Sequence, residues 1–351
     1  MKFSTSLVAV ALLLSCGPSD TRVKQRACSG CVDAEGLCLV GNEVNACGLQ
    51  GVACVQCTSG QQCVQGGCVI NPNAGGGAGG GSGGGGGFNL LSDGGVEDCS
   101  EEAKLIYVVD QDRTLSSFNP SAVGQPNGPF VDLGQIACAS QPGAEPFSMA
   151  VDRNATAWII YDSGELFTVD VKTLPLSCVK TAFMPQLDVA KFGMGFVANT
   201  PGGSDETLFI SGSNFGSSLT TTKFGTLSTT PPYTISVNGT LNGAPELTGN
   251  GKAELWAFLP NVLPPKVARL SKTSGAMESV FEVQGLSGDP RAWAFAFWGG
   301  DFFVFLERAT DTSTRVWKVN GMTGALTPVI ADTGRTIVGA GVSTCAPVDI
   351  N

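Results

Sequence analysis

The sequence predicts an all-β fold made of repeated antiparallel sheets, on three observations. From Cys99 onward, short apolar runs recur about every 50 residues, a period at which each repeat is one small sheet of several strands. Charged residues make up only 14% of the chain, well below the roughly 25% of ordinary soluble domains. Glycine numbers 48, which suits a chain with many tight turns.

The elements follow in chain order. Five apolar runs open the repeats: Leu105 to Val109, Trp158 to Tyr161, Leu208 to Ile210, Leu255 to Leu259 and Phe302 to Leu306. A second run follows each, in the pattern apolar-x-x-apolar-polar: Leu115 to Asn119, Leu166 to Asp170, Phe224 to Ser228, Val267 to Ser271 and Val316 to Asn320. Turn residues such as Lys272 to Gly275 and Gly321 to Gly324 separate these from a third run, as at Phe130 to Leu133, Met277 to Val283 and Leu326 to Ile330. A fourth strand is expected before each unit, at 147–151, 193–197, 245–248, 292–297 and 337–342. The first repeat has none in front of it, and the last of the five has no repeat behind it. Ring closure resolves both: strand 337–342 completes the sheet that begins at Leu105, leaving no open sheet edge. The expected architecture is a five-bladed β-propeller closed by the C-terminal strand, in which each blade covers its neighbour's face.

Two cysteine pairs fit that scheme. Cys99 precedes the first strand of the opening blade and Cys345 follows the closing strand, so a bridge between them would lock the seam. Cys138 and Cys178 are expected to follow the outer strands of adjacent blades and to pair. In Ala292 to Phe297, alternation puts Trp293, Phe295 and Phe297 on one face and three alanines on the other. Core packing between blades is the favoured reading, and an aromatic sugar-binding strip is the alternative.

The N-terminal part has a different composition. Met1-Lys2 supplies a charged start, and Leu7 to Leu14 is apolar but too short to span a bilayer, which takes about 20 residues. With a small residue before the cut, residues 1–15 read as an export signal. Residues 16–27 form a polar tether. Residues 28–70 hold Cys28, Cys31, Cys38, Cys47, Cys54, Cys57, Cys63 and Cys68. So short a segment cannot bury enough apolar surface to fold unaided, and closely spaced cysteines in an exported chain read as disulfides. Eight allow 105 connectivities, which the sequence leaves open. Zinc binding through Cys28-x-x-Cys31 and Cys54-x-x-Cys57 is the rival reading, disfavoured by export and the lack of histidine. Residues 71–97 are a Gly-rich linker with a coil reach of about 20 Å over its glycine tract, and residues 98–351 form the propeller.

Leu13-Leu14-Ser15-Cys16 resembles the lipobox of bacterial lipoproteins. The resemblance implies that Cys16 becomes the mature N-terminus and carries acyl chains. The cysteine pattern and the order of segments are similar to those of a group of myxobacterial lipoproteins, matched here at Pro245 to Gly249, Ala292 to Gly300 and Ile337 to Pro347. That likeness implies an envelope address and a propeller-like domain, and it transfers no active site.

Several chemistries are excluded or unsupported. The chain has no histidine, which removes imidazole-dependent nucleophile chemistry and His-ligated metals. A formal charge of −10 is unsuited to nucleic acid, whose binding requires phosphate neutralisation. Asp110-x-Asp112 has oxygen ligands for a cation but no full loop pattern, and a strand-to-strand turn explains it better. No cofactor or metal is expected. The expectation is a membrane-anchored envelope lipoprotein, placed in the outer membrane. It is held by its acyl chains and acts as a non-catalytic binding or scaffold protein for a protein or surface polymer. The alternative is a propeller enzyme using carboxylates or a bound cation in the central channel.

Overall fold

The computed structural model describes residues 31–32, 38–39, 42–43, 46–47, 53–57, 61–64, 67–70, 99–216 and 220–349. Cys16, Cys28 and the Gly-rich linker lie outside them. Contacts divide the chain into two compact units, Met1–Phe88 and Asn89–Asn351.

The first unit contains three small antiparallel pairs: β1 (Cys31–Val32) with β2 (Cys38–Leu39), β3 (Asn42–Glu43) with β4 (Ala46–Cys47), and β5 (Gln61–Val64) with β6 (Gly67–Ile70). Disulfides join Cys31 to Cys54, Cys47 to Cys63 and Cys57 to Cys68. Cys31, Cys47 and Cys57 are buried. The sulfurs occupy the place where a larger domain would have aliphatic side chains.

The second unit begins with β7 (Ile106–Asp110), β8 (Thr114–Phe118) and β9 (Phe130–Gln135). Three blades of four strands each follow. They are β10 (Pro146–Val151) to β13 (Cys178–Lys180) by way of β11 (Thr156–Tyr161) and β12 (Leu166–Asp170), then β14 (Lys191–Ala198), β15 (Glu206–Ser213), β16 (Thr221–Leu227) and β17 (Ile235–Asn242), then β18 (Glu246–Gly249), β19 (Leu255–Leu259), β20 (Lys266–Leu270) and β21 (Met277–Glu282). The last complete blade is β22 (Pro290–Trp298), β23 (Asp301–Arg308), β24 (Arg315–Asn320) and β25 (Leu326–Ile330), and β26 (Ile337–Val342) ends the series. β26 pairs antiparallel with β7, Val342 opposite Ile106 and Ala340 opposite Val108, giving a closing blade ordered β26-β7-β8-β9. The molecule is thus a five-bladed propeller sealed by its last strand. The Cys99–Cys345 disulfide lies at that seam, with Cα atoms 5.9 Å apart.

The core consists of five apolar wedges, one between each pair of neighbouring blades. Strand periodicity produces them. Ile106 and Val108 of β7 join the wedge against β22 and β23, while Tyr107 and Val109 join the wedge against β10 and β11. In β19, Trp256 and Phe258 serve one wedge and Leu255, Ala257 and Leu259 the other. The strands nearer the axis are buried on both faces, so runs such as β7 and β19 are continuously apolar rather than half-polar, while the outermost strands are largely exposed. In β22, Ala294 and Ala296 lie toward the closing blade, against Phe303, Phe305 and Val108, while Phe295 and Phe297 fill the opposite wedge. Burial of each large side chain contributes about 1.5–3 kcal/mol.

The innermost strands β10, β14, β18, β22 and β26 surround the axis closely. A methyl group at Gly193 of β14 would collide with the Pro245 carbonyl oxygen, and one at Gly341 of β26 would come 2.8 Å from the Ala150 backbone. Glycine at these positions lets neighbouring inner strands run backbone against backbone and narrows the channel.

One detail of the cysteine scheme is corrected. Cys138 follows the outer strand β9, but Cys178 opens the outer strand β13 rather than following it. The two are bonded nonetheless, with Cα atoms 5.0 Å apart. β13 has only three residues, too few for a periodic pattern to fix its start.

Candidate binding face at the channel mouth

The ring has two faces. The turns from first to second strands lie on one, together with the Cys99–Cys345 seam. The N-terminal ends of the inner strands open on the other, which is the channel mouth.

Carboxylates on the seam face are committed to structure. Asp152 Oδ1 accepts the Asn154 and Thr156 amides at 2.9 Å, and its Oδ2 accepts the Trp158 indole N–H at 3.1 Å. Asn250 repeats the device one blade pair further on, accepting the Lys252 and Glu254 amides. Glu206 accepts the Arg153 amide and the Thr344 hydroxyl, each at 2.8 Å. Burial raises the Glu206 pKa to about 7, against the lowering effect of these two donors. The Arg153 guanidinium donates to Thr344 Oγ1 at 3.1 Å and lies 3.4 Å from the Cys99 sulfur. On the opposite, mouth face, Asp110 lies across from Ile337 at the start of β26 and closes the β7–β8 turn by accepting the Thr114 amide at 2.7 Å. The carboxylates of Asp110 and Asp112 gather no further ligands: among the described residues, the one three-residue group with metal-ligating spacing is Cys47, Cys57 and Cys68, all half-cystines.

The mouth contains a small hollow lined by Phe147, Lys191, Ser213, Thr222, Glu246 and Trp293. Its enclosed part measures about 20 Å³, room for one water-sized group. Glu246, the first residue of β18, forms part of its wall and is only 3% exposed. The Ser148 hydroxyl of β10 bonds to Glu246 Oε2 at 2.8 Å, and the Met194 amide of β14 donates to the same carboxyl. One carboxyl thus ties together the inner strands of three consecutive blades. Burial without a cation raises its pKa well above the usual range, and the Ser148 and Met194 bonds only partly oppose this.

Lys191 opens β14, with its ammonium 5.2 Å from the centre of the Phe147 ring. Among the described residues it forms no ion pair. Trp293 donates its indole N–H to the Ala244 carbonyl at 3.1 Å, which fixes the ring beside the hollow. The sequence pattern places Trp293 with the core aromatics; it is packed against the wedge but also reaches the mouth. Sequence reasoning did not single out Lys191 or Glu246 as site residues. The available signal was an acid within a short inner strand, Pro245-Glu-Leu-Thr-Gly249, where a buried sheet calls for apolar residues.

Apolar loop tips surround this mouth. Met184 (71% exposed), Leu187 (53%), Phe215 (49%) and Leu263 (82%) stand on turns at this end of the second, third and fourth blades. Leu187 and Asp188 both adopt left-handed backbone, with φ of 51° and 56°, which non-glycine residues seldom do in succession. Lys223 holds them by donating to the Leu187 carbonyl at 2.6 Å and to Asp188 Oδ2 at 3.0 Å. Phe215 also lines a shallow groove with Gln141, Asp162 and Ser163.

The chain is thus a disulfide-locked five-bladed propeller with a narrow channel and one polar hollow at its mouth. No known protein family matches the sequence, and no curated protein matches it. Among solved structures it is similar to an exo-β-1,3-galactanase from Phanerochaete chrysosporium, at 10% identity and a TM-score of 0.37 over 52% of this chain and 48% of that one. It is also similar to the PQQ-bound aldose sugar dehydrogenase of Streptomyces coelicolor, at 12% identity and a TM-score of 0.37 over 64% and 77% of the two chains. A β-propeller domain from Myceliophteria thermophila is similar at 9% identity and a TM-score of 0.33, over 66% and 70%. The chain spans about half the length of the galactanase it matches.

Proposed function

We propose that this chain is a lipoprotein of a bacterial outer membrane, anchored through acyl chains on Cys16, and that its propeller is a non-catalytic binding module for a protein or surface polymer. The observation that carries the binding reading is the polarity of the ring. Cys99, where the linker joins, is bonded at the seam face, while the hollow and the exposed loop tips occupy the opposite face. Exposed loops on a rigid scaffold are where binding concentrates.

The carboxylate enzyme reading has less support. Glycoside hydrolysis uses two carboxyl groups on either side of the scissile bond. Glu246 is the one carboxyl among the residues lining the hollow, and it is already engaged by Ser148 and the Met194 amide.

Fractionation tests the anchor. The wild-type chain is expected in the membrane pellet and the Cys16→Ala variant in the soluble fraction, and retention of the variant would reject acylation. The binding role is tested with the isolated ring, residues 98–351, which has its own core and closure. It should retain an envelope component that the Phe215→Ser, Leu263→Ser ring loses; equal retention by both would count against the mouth face.

A further inference from the structure

The charge of the mouth hollow points to a ligand class. We propose that the hollow receives the carboxylate group of an organic acid, with Lys191 as its counter-ion and the body of the ligand resting on Phe147 and Trp293. This rests on the reading of the mouth as a binding face and adds the chemistry that it recognises.

Four observations carry it. Lys191 has no carboxylate partner among the described residues, although the chain as a whole carries a formal charge of −10. Its ammonium lies over the Phe147 ring, 5.2 Å from the ring centre, and both residues line the hollow. Glu246 lines the same hollow, yet its carboxyl is engaged by the Ser148 hydroxyl and the Met194 amide rather than by Lys191. The hollow is thus lined by an ammonium side chain with no ion-pair partner among the described residues and by hydroxyl-bearing side chains, Thr222 among them. A charge left unpaired in partly desolvated surroundings favours an incoming anion more strongly than one in water does.

Size narrows the class. The enclosed space of about 20 Å³ admits a single oxygen of an acidic group but not a sugar ring. The remainder of the ligand must lie outside, against the two aromatic side chains at the rim. A flat or ring-shaped body with a terminal carboxylate fits both requirements.

Calorimetric titration of the full chain with glucuronate, and in parallel with glucose, tests the proposal. Glucuronate should bind and glucose should bind at least about tenfold more weakly, a difference of about 1.4 kcal/mol. Lys191→Met should abolish the preference, and Lys191→Arg should retain it. A further arm with benzoate asks whether the sugar hydroxyls matter; binding of either acid that depends on Lys191 upholds the class. Equal binding of glucuronate and glucose, binding unchanged in Lys191→Met, or no binding of either acid would overturn it. The last result, alongside capture of an envelope component by the intact mouth, would overturn the ligand class while leaving the binding face in place.

Discussion

Glu206 and Glu246 have raised pKa values for the same reason, burial without a cation at bonding distance, and both affect how stability depends on pH. A carboxyl whose folded pKa exceeds its unfolded value stabilises the fold at low pH, and that contribution is lost as pH rises through the folded pKa. For Glu206 the window runs from about 4.5 to about 7. Asp132 and Asp311 behave oppositely. The Arg335 side chain lowers the Asp132 pKa, and Arg308 lowers that of Asp311 against its own burial. Their contribution is present above the ordinary carboxylate range and disappears in acid. Melting temperature should therefore be highest in mildly acidic buffer and fall between pH 5 and pH 8. Glu206→Gln should flatten that fall, as measured by thermal unfolding at several pH values. An unchanged slope in the variant would remove Glu206 as the cause.

At the scale of the strand, most of the fold was legible because the physics repeats. Runs such as Leu255 to Leu259 and Phe302 to Phe305 are apolar on both faces because each blade lies between two others. The alternation of Ala294 and Ala296 with Phe295 and Phe297 was legible for the same reason, since it describes two different neighbours. Elements without a pattern were harder. β13 has three residues, and Cys178 was misplaced relative to it. Lys191 gave no local signal; its meaning depends on Phe147 and Glu246, brought close by three separate strands. The Ser148–Glu246 bond joins residues 98 positions apart, a separation over which no short motif extends. The tight inner strands give a prediction at this scale. Gly193→Ala should force β14 away from β18 and destabilise the ring by about 1–3 kcal/mol, the usual cost of overpacking. Urea unfolding would measure it, and a loss below about 0.5 kcal/mol would mean that the inner strands are looser than described.

For the whole molecule, closure depends on two bonds of different kinds: the β26–β7 ladder and the Cys99–Cys345 disulfide. The covalent one closes a loop of 246 residues, for which the chain-entropy account predicts about 5 kcal/mol, with measured effects often smaller. The Cys99→Ser, Cys345→Ser variant should unfold at lower denaturant while keeping the β-sheet spectrum of the parent, because the ladder remains. Loss of folded structure altogether would show that the bridge specifies the ring rather than reinforcing it. The Cys138–Cys178 bridge spans only 40 residues between adjacent blades, so its removal should have a smaller effect.

Sealing by the last strand also sets a timetable. β7 is among the first propeller strands to be synthesised, and its partner β26 is nearly the last. At a usual elongation rate of 5–20 residues per second, roughly 10–50 s pass before the partner exists. Throughout that interval the nascent chain has a bare strand edge and cannot reach its final shape. Ring closure therefore has to await synthesis of β26, and the Cys99–Cys345 bond can form only once Cys345 has been added.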